Sequence, residues 1–271
     1  YVAGLHRSPL RGFSIEFAEH REYSPGDDLR HVDWKVFGKT DKLYLKQYED
    51  ETNLVCYLVL DTSESMRYRS ANAALSKLEF GQCLVAALSW LVISQQDAVG
   101  VATFDRDLQR FIRPSSNPTH LKDIIQVLEN VETRRKTNTG RVLHELAERL
   151  PKRGVVIVIS DFLDDIPQVL KGLHQLRHRK HDVVVFQLLD PAELEFPFRR
   201  TTLFRGLEAA EELLIDPRAV RNTYLEELDR FLRSLEVGCR AGQVDYLKWR
   251  TDQSLEVPLV GYLARRMARV S

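Results

Sequence analysis

Two acidic residues stand at the ends of long apolar runs, and hydroxyl side chains gather beside the first. Asp61 opens Asp61-Thr62-Ser63-Glu64-Ser65 directly after the run 54–60, and Asp161 closes the run that begins at 155. Between them lies Lys136-Thr137-Asn138-Thr139-Gly140, ahead of a helical pattern. Carboxylates and hydroxyls are hard oxygen ligands. They suit a cation such as magnesium, which keeps several waters and demands octahedral geometry. Alternate residues share a direction, so Asp61, Ser63 and Ser65 can turn toward one point. Alone, these three also fit a plain helix cap, since Asp and Ser favour N-caps and turns. The second carboxylate and the distant threonines favour a cation over that reading.

For these groups to meet, the runs that carry them must be strands of one sheet. Run 54–60 is apolar on both faces, as in the centre of a covered parallel sheet. Runs 98–104, 155–159 and 183–189 read the same way, and 244–249 is a last strand. After the turn Asp105-Arg106-Asp107, residues 108–112 return as an antiparallel edge strand. Helices are expected over 77–95, 119–128, 138–150, 166–177, 218–237 and 254–267, the first largely buried because its second half is apolar nearly all round. This alternation argues for an α/β fold, a doubly wound, mostly parallel, Rossmann-like sheet. Ligands in such sheets bind at the carboxyl ends of the strands, where both carboxylates fall. Residues 190–216, with Pro191 and Pro197, break the rhythm and are expected as an inserted hairpin or loop after the fifth strand. Residues 1–50 are polar, carry the turn signal Ser24-Pro25-Gly26-Asp27, and alternate as a strand over 44–48.

Composition removes several other functions. The 271 residues hold 39 Lys plus Arg and 39 Asp plus Glu, so no net field draws the chain to nucleic acid or anionic lipid. No apolar run reaches the ~18 residues of a spanning helix, the longest candidate being 83–93. The chain is expected in the cytoplasm, with any membrane association left to regions outside it. It opens on Tyr1 and not Met, so its start carries no reading about targeting. Cys56, Cys83 and Cys239 are odd in number and lack C-x-x-C spacing, and they read as buried thiols of a reducing compartment. His174, His178 and His181 include an i, i+4 pair of the kind that binds zinc. They share their segment with Arg177, Arg179 and Lys180, which complement a helix carboxyl end and repel a metal, so they read as a solvated basic helix end. No G-x-x-x-x-G-K-[ST] loop is present for nucleotide hydrolysis. A metal-dependent phosphatase-like hydrolase using Asp61 as nucleophile is the alternative reading. The haloacid dehalogenase version needs a second Asp two residues on, where this chain has Ser63, and no catalysis is expected.

Asp-x-Ser-x-Ser after a buried strand, a distant Thr before a helix and an Asp ending a later strand resemble the metal-ion-dependent adhesion site (MIDAS) of von Willebrand factor A domains. The resemblance implies that Ser63, Ser65 and Thr137 offer hydroxyls to a magnesium or manganese ion, with calcium less well suited. It implies that Asp61 and Asp161 act mainly through bound water. One coordination position would receive an Asp or Glu carboxylate from a protein partner. Thr139 is the rival of Thr137, which its spacing to the helix favours.

A second resemblance covers nearly the whole chain. Gly12-Phe13-Ser14-Ile15-Glu16-Phe17, Arg21-Glu22-Tyr23, Pro25-Gly26-Asp27-Asp28-Leu29-Arg30 and Val32-Asp33-Trp34 are similar to the signature of the bacterial family of domain of unknown function 58, DUF58. It implies a von Willebrand factor A-like core over 51–271 with the segment 1–50 packed on it, and association with MoxR-type AAA+ ATPases. The expected function is a metal-ion-dependent protein–protein interaction module, an adaptor or substrate-recognition partner of such an ATPase. In the N-terminal segment, Arg21, Asp27, Asp28, Arg30 and Asp33 read as charges pairing around a turn, with Trp34 as a buried anchor. A partner-docking surface is the other reading of the same residues.

Overall fold

A computed structural model describes residues 16–23, 32–40, 42–49, 54–131, 133, 138–206 and 212–254, and the chain divides into units at 1–54 and 55–271. In the first unit, β1 (Glu16–Glu22) pairs antiparallel with β2 (Tyr44–Glu49), and α1 (Trp34–Thr40) lies between them in sequence. Asp33 caps that helix: its Oδ1 accepts from the Val36 backbone N–H at 3.3 Å. β1 was not expected, because Glu-Phe-Ala-Glu-His-Arg-Glu shows no apolar alternation. Trp34 is not the buried anchor expected of it. It is 61% exposed and meets Phe37 edge to face. Asp27, Asp28, Arg30 and their turn lie outside the described residues.

The second unit starts with β3 (Val55–Asp61), seven residues all buried, followed by α2 (Lys77–Ser94), β4 (Ala98–Phe104) and β5 (Leu108–Ser115). Then come α3 (His120–Glu129), α4 (Thr139–Arg149), β6 (Val155–Ser160), α5 (Ile166–His178) and β7 (Asp182–Leu189). The expected insertion is a short helix, α6 (Pro191–Glu195), and a hairpin of β8 (Thr202–Arg205) and β9 (Glu212–Ile215). α7 (Pro217–Ala241) runs one residue earlier and four later than its apolar pattern, and β10 (Asp245–Arg250) ends the described chain. The helix expected over 254–267 falls outside the described residues beyond 254.

The six-stranded sheet has the order β10-β7-β6-β3-β4-β5. All neighbours are parallel except β5, which returns antiparallel along β4 and carries Arg110, Arg113 and Pro114 on the outer edge. From β3 the chain first builds toward β5, then crosses to β6 on the other side. The strand order therefore reverses between β3 and β6, where such sheets open a crevice. Strand alternation sends Tyr57, Val59, Val156, Val158 and Val185 to the face covered by α4, α5 and the end of α7. The opposite face takes α2, where a Cβ on Gly81 would lie 2.7 Å from Leu60 Cδ1.

α2 corrects two expectations. Over its whole length it is long and apolar enough to cross a membrane, where the sequence suggested only 83–93. In the fold it is a core helix, burying Phe80, Gly81, Leu84, Val85, Leu88 and Ile93. Its outer side remains open, with Trp90 57% exposed. Cys83 is exposed too, so the three free thiols are not all buried. His181 departs in the other direction: it is buried, edge-on to Tyr57, while His174 and His178 are exposed as expected.

α4 and α5 touch through glycine. A Cβ on Gly140 would stand 2.8 Å from the backbone of Gln168, and one on Gly172 would stand 2.7 Å from Leu143 Cβ. In an open helix Gly→Ala stabilises by up to ~1 kcal/mol. Here Gly140→Ala forces backbone apart, and we expect a net loss of about 1–3 kcal/mol in denaturant unfolding. Unchanged or raised stability would show that the spacing of the two helices adjusts freely.

Candidate functional site

β3 and β6 end side by side at the crevice. Asp61 is fully buried there; its Oδ1 accepts from the Ser63 backbone N–H at 2.9 Å and its Oδ2 from Ser160 Oγ–H at 2.6 Å. Thr62 fastens the same loop to β4, its N–H and its hydroxyl both donating to the Phe104 carbonyl, at 2.6 and 2.8 Å. The chain then tightens into a 3-10 turn, Glu64–Arg67, that brings Ser63 Oγ and Ser65 Oγ within 3.1 Å of each other. Asp161 follows β6 and is equally buried. Asp61, Ser63, Ser65 and Asp161 thus reach one rim of the sheet.

Thr137 lies outside the described residues. Its rival Thr139 is the buried first residue of α4, and its N–H donates to Asp164 Oδ2 at 2.7 Å. The preceding Asn138 donates its N–H to the Asp105 carbonyl at 3.4 Å and caps α4 with its side chain. Together these bonds draw the start of α4 to the loops that follow β4 and β6.

Lys77 was not foreseen. As the first residue of an apolar helix it reads as solvated, yet it is fully buried. Its Nζ donates to Asp161 Oδ2 at 2.7 Å and to Glu193 Oε1 at 2.6 Å, and it sits 5.9 Å from the centre of the Tyr68 ring. Burial alone would depress the lysine pKa, but the two carboxylates outweigh it and raise the pKa above its ordinary value. Glu193 is pushed up by burial, with Lys77 opposing. Glu193 also closes a capping box with Asp190, and Asp190 Oδ2 accepts from the Ser70 N–H at 2.9 Å. Helix α6 is therefore linked to both the loop after β3 and the end of β6.

A second unforeseen feature follows Asp161. Phe162 is fully buried with φ 56°, a left-handed conformation that costs a non-glycine residue about a kcal/mol or more. Its N–H donates to Ser160 Oγ at 2.9 Å, so one serine hydroxyl both receives this bond and donates to Asp61. The turn leaves Asp161 Oδ1 accepting from the Leu163 N–H at 3.1 Å.

Among the described residues the charges do not cancel: Lys77 answers Asp161 and Glu193, while Asp61 faces hydrogen-bond donors and no cation of its own. Burial first, and repulsion from Asp161 second, raise the Asp61 pKa to about 7 against the bonds from Ser160 and Ser63. Among the described residues, no group of three His, Cys, Asp or Glu side chains is placed to hold a metal. A cation at this rim would depend on hydroxyls. The serine pair suits one: oxygens at neighbouring corners of an octahedron with ~2.1 Å bonds are ~3 Å apart. The two hydroxyls already stand 3.1 Å apart.

Comparison with known proteins agrees with this architecture. An uncharacterized protein of Mycobacterium tuberculosis is 25% identical over 268 residues, spanning 97% of this chain and 83% of that protein. Among solved structures, the conserved hypothetical protein BatB from Bacteroides thetaiotaomicron is similar with a TM-score of 0.53 at 15% identity, covering 80% of this chain and 98% of its own. An aerotolerance-related membrane protein from Bacteroides fragilis gives a TM-score of 0.51 at 15% identity, covering 73% and 92%. The fold is a mixed α/β fold with a mostly parallel, six-stranded central sheet. The family model described as protein of unknown function DUF58 matches residues 19–231. This chain belongs to the DUF58 family.

Proposed function

We propose that the chain is a non-catalytic protein-interaction module that grips its partner through a divalent cation at the β3–β6 rim. The observation that carries this reading is the serine pair at octahedral-edge spacing beside a buried carboxylate that no side-chain cation among the described residues neutralises. Ser63, Ser65 and Thr137 would hold magnesium or manganese directly, with Asp61 and Asp161 acting through water. The cation supplies a Lewis-acidic position for a partner's Asp or Glu. Thr62 and Ser160 keep the loop in place for it, and Lys77 withholds one Asp161 oxygen from direct ligation. A nucleophilic role for Asp61 is less well supported, since it is wholly buried with both oxygens accepting hydrogen bonds. The family resemblance makes a MoxR-type AAA+ ATPase our proposed partner. The free thiols are consistent with a cytoplasmic setting.

Magnesium should raise the unfolding temperature of the chain, because a ligand of the native state stabilises it by mass action, ~2.7 kcal/mol at a hundredfold excess over Kd. Ser63→Ala should remain folded and lose that shift. An undiminished shift in the variant, or none in the wild type, would count against the cation site.

The charge argument gives a further outcome. Lys77→Met leaves Asp161 and Glu193 buried without their counter-charge, and in chelator the unfolding free energy should drop by roughly 3–5 kcal/mol. Magnesium should then restore part of the loss, a larger gain than in wild type. Near-wild-type stability in chelator would sink the view that these carboxylates are ionised.

A further inference from the structure

We propose that the cleft beside the Ser63–Ser65 turn seats an acidic peptide segment of the partner; this rests on the cation-dependent reading and gives its partner a chemistry. The cleft measures about 610 Å³ and opens to solvent. Its lining includes Arg67 and Arg69, Ser76 and Glu79 at the start of α2, and Val131 and Thr133. The lining reaches the rim through Arg67, which closes the same 3-10 turn that presents Ser65. A chain that places one carboxylate at the cation would therefore pass this cleft on leaving the rim.

Among its described residues the cleft carries a net positive charge, two arginines against one glutamate. Among the described residues, neither Arg67 nor Arg69 makes an ion pair or hydrogen bond through its guanidinium, and both are exposed. Glu79 is the acidic residue among the described lining: its Oε2 accepts from the Ser76 N–H at 2.7 Å and the Ser76 hydroxyl at 2.9 Å, and its charge is attracted to Arg69, which leaves Arg67 as the surplus. A second open cleft, on α7, behaves differently. Its Arg230 and Arg233 are paired on the same helix with Glu227 and Asp229, so it offers no such surplus. Guanidinium forks recognise carboxylates in bidentate geometry. A peptide with several Asp or Glu residues can thus fill the cation position with one and the two arginines with others. Among the described residues the lining contains no aromatic side chain on which a base would stack, which sets a peptide above single-stranded nucleic acid.

The test titrates the whole chain, in magnesium and in chelator, against a short fluorescent Asp/Glu-rich peptide and its Asn/Gln counterpart. The acidic peptide should bind in magnesium and the amide peptide should not. Arg67→Glu combined with Arg69→Glu should weaken binding about tenfold or more, while Arg230→Glu with Arg233→Glu, the same change in net charge, should not. Magnesium-dependent binding that ignores the Arg67/Arg69 reversal overturns the cleft and leaves the cation reading standing. Binding that needs the arginines but is equal in chelator overturns the cation reading and supports the cleft. Tighter arginine-dependent binding of a single-stranded oligonucleotide than of the acidic peptide also overturns the proposal.

Discussion

The contact on which the rest of this rim depends is the ammonium of Lys77 held between Asp161 and Glu193. Charges taken fully out of water survive only when paired at close range, and breaking such a pair is much more costly than never building it. The three residues come from the start of α2, the end of β6 and the helix after β7, so one interaction fixes three elements that are far apart in sequence. Its reach extends further through Glu193. The carboxylate that holds Lys77 also receives the Asp190 N–H at 2.8 Å, and the Glu193 carbonyl accepts from the Tyr224 hydroxyl of α7 at 3.0 Å. The inserted hairpin thus departs from a base that is locked to the crevice.

That arrangement also explains why two carboxylates on neighbouring strands differ. Asp161 has a fixed positive partner and one backbone donor, the Leu163 N–H. Asp61 has a serine hydroxyl, a backbone N–H and a like charge nearby. The left-handed Phe162 belongs to the same economy of geometry, turning the chain sharply so that Ser160 can serve Asp61 while Asp161 faces Lys77. Local backbone strain at the end of a central strand is where a fold keeps a binding geometry that relaxed backbone would not hold.

Much of this was legible because central strands announce themselves. Val55–Asp61 and Val155–Ser160 are buried on both faces, so their composition is apolar throughout and their ends are sharp. The positions of Asp61, Ser63, Ser65 and Asp161 at one edge followed from those ends and from the rule about carboxyl termini of parallel strands. Lys77 was not legible, since a lysine opening a helix usually reaches water and its two partners lie 84 and 116 residues away. β1 escaped for a different reason: its pairing with β2 rests on backbone bonds, and its side chains carry no pattern. Cys83 was misjudged because an apolar helix packed on one face of a sheet still has an outer side, where Trp90 is exposed as well.

The last strand on the far side of the sheet carries a consequence for assembly. β5 is antiparallel, slips register against β4 at two places, and bears Arg110, Arg113 and Pro114. Proline removes a donor, arginine resists stacking beside another sheet, and irregular register spoils a continuous template. A ligand that binds by lending a β-strand therefore finds no seat along β5, and copies of this chain cannot zip together there into longer sheets.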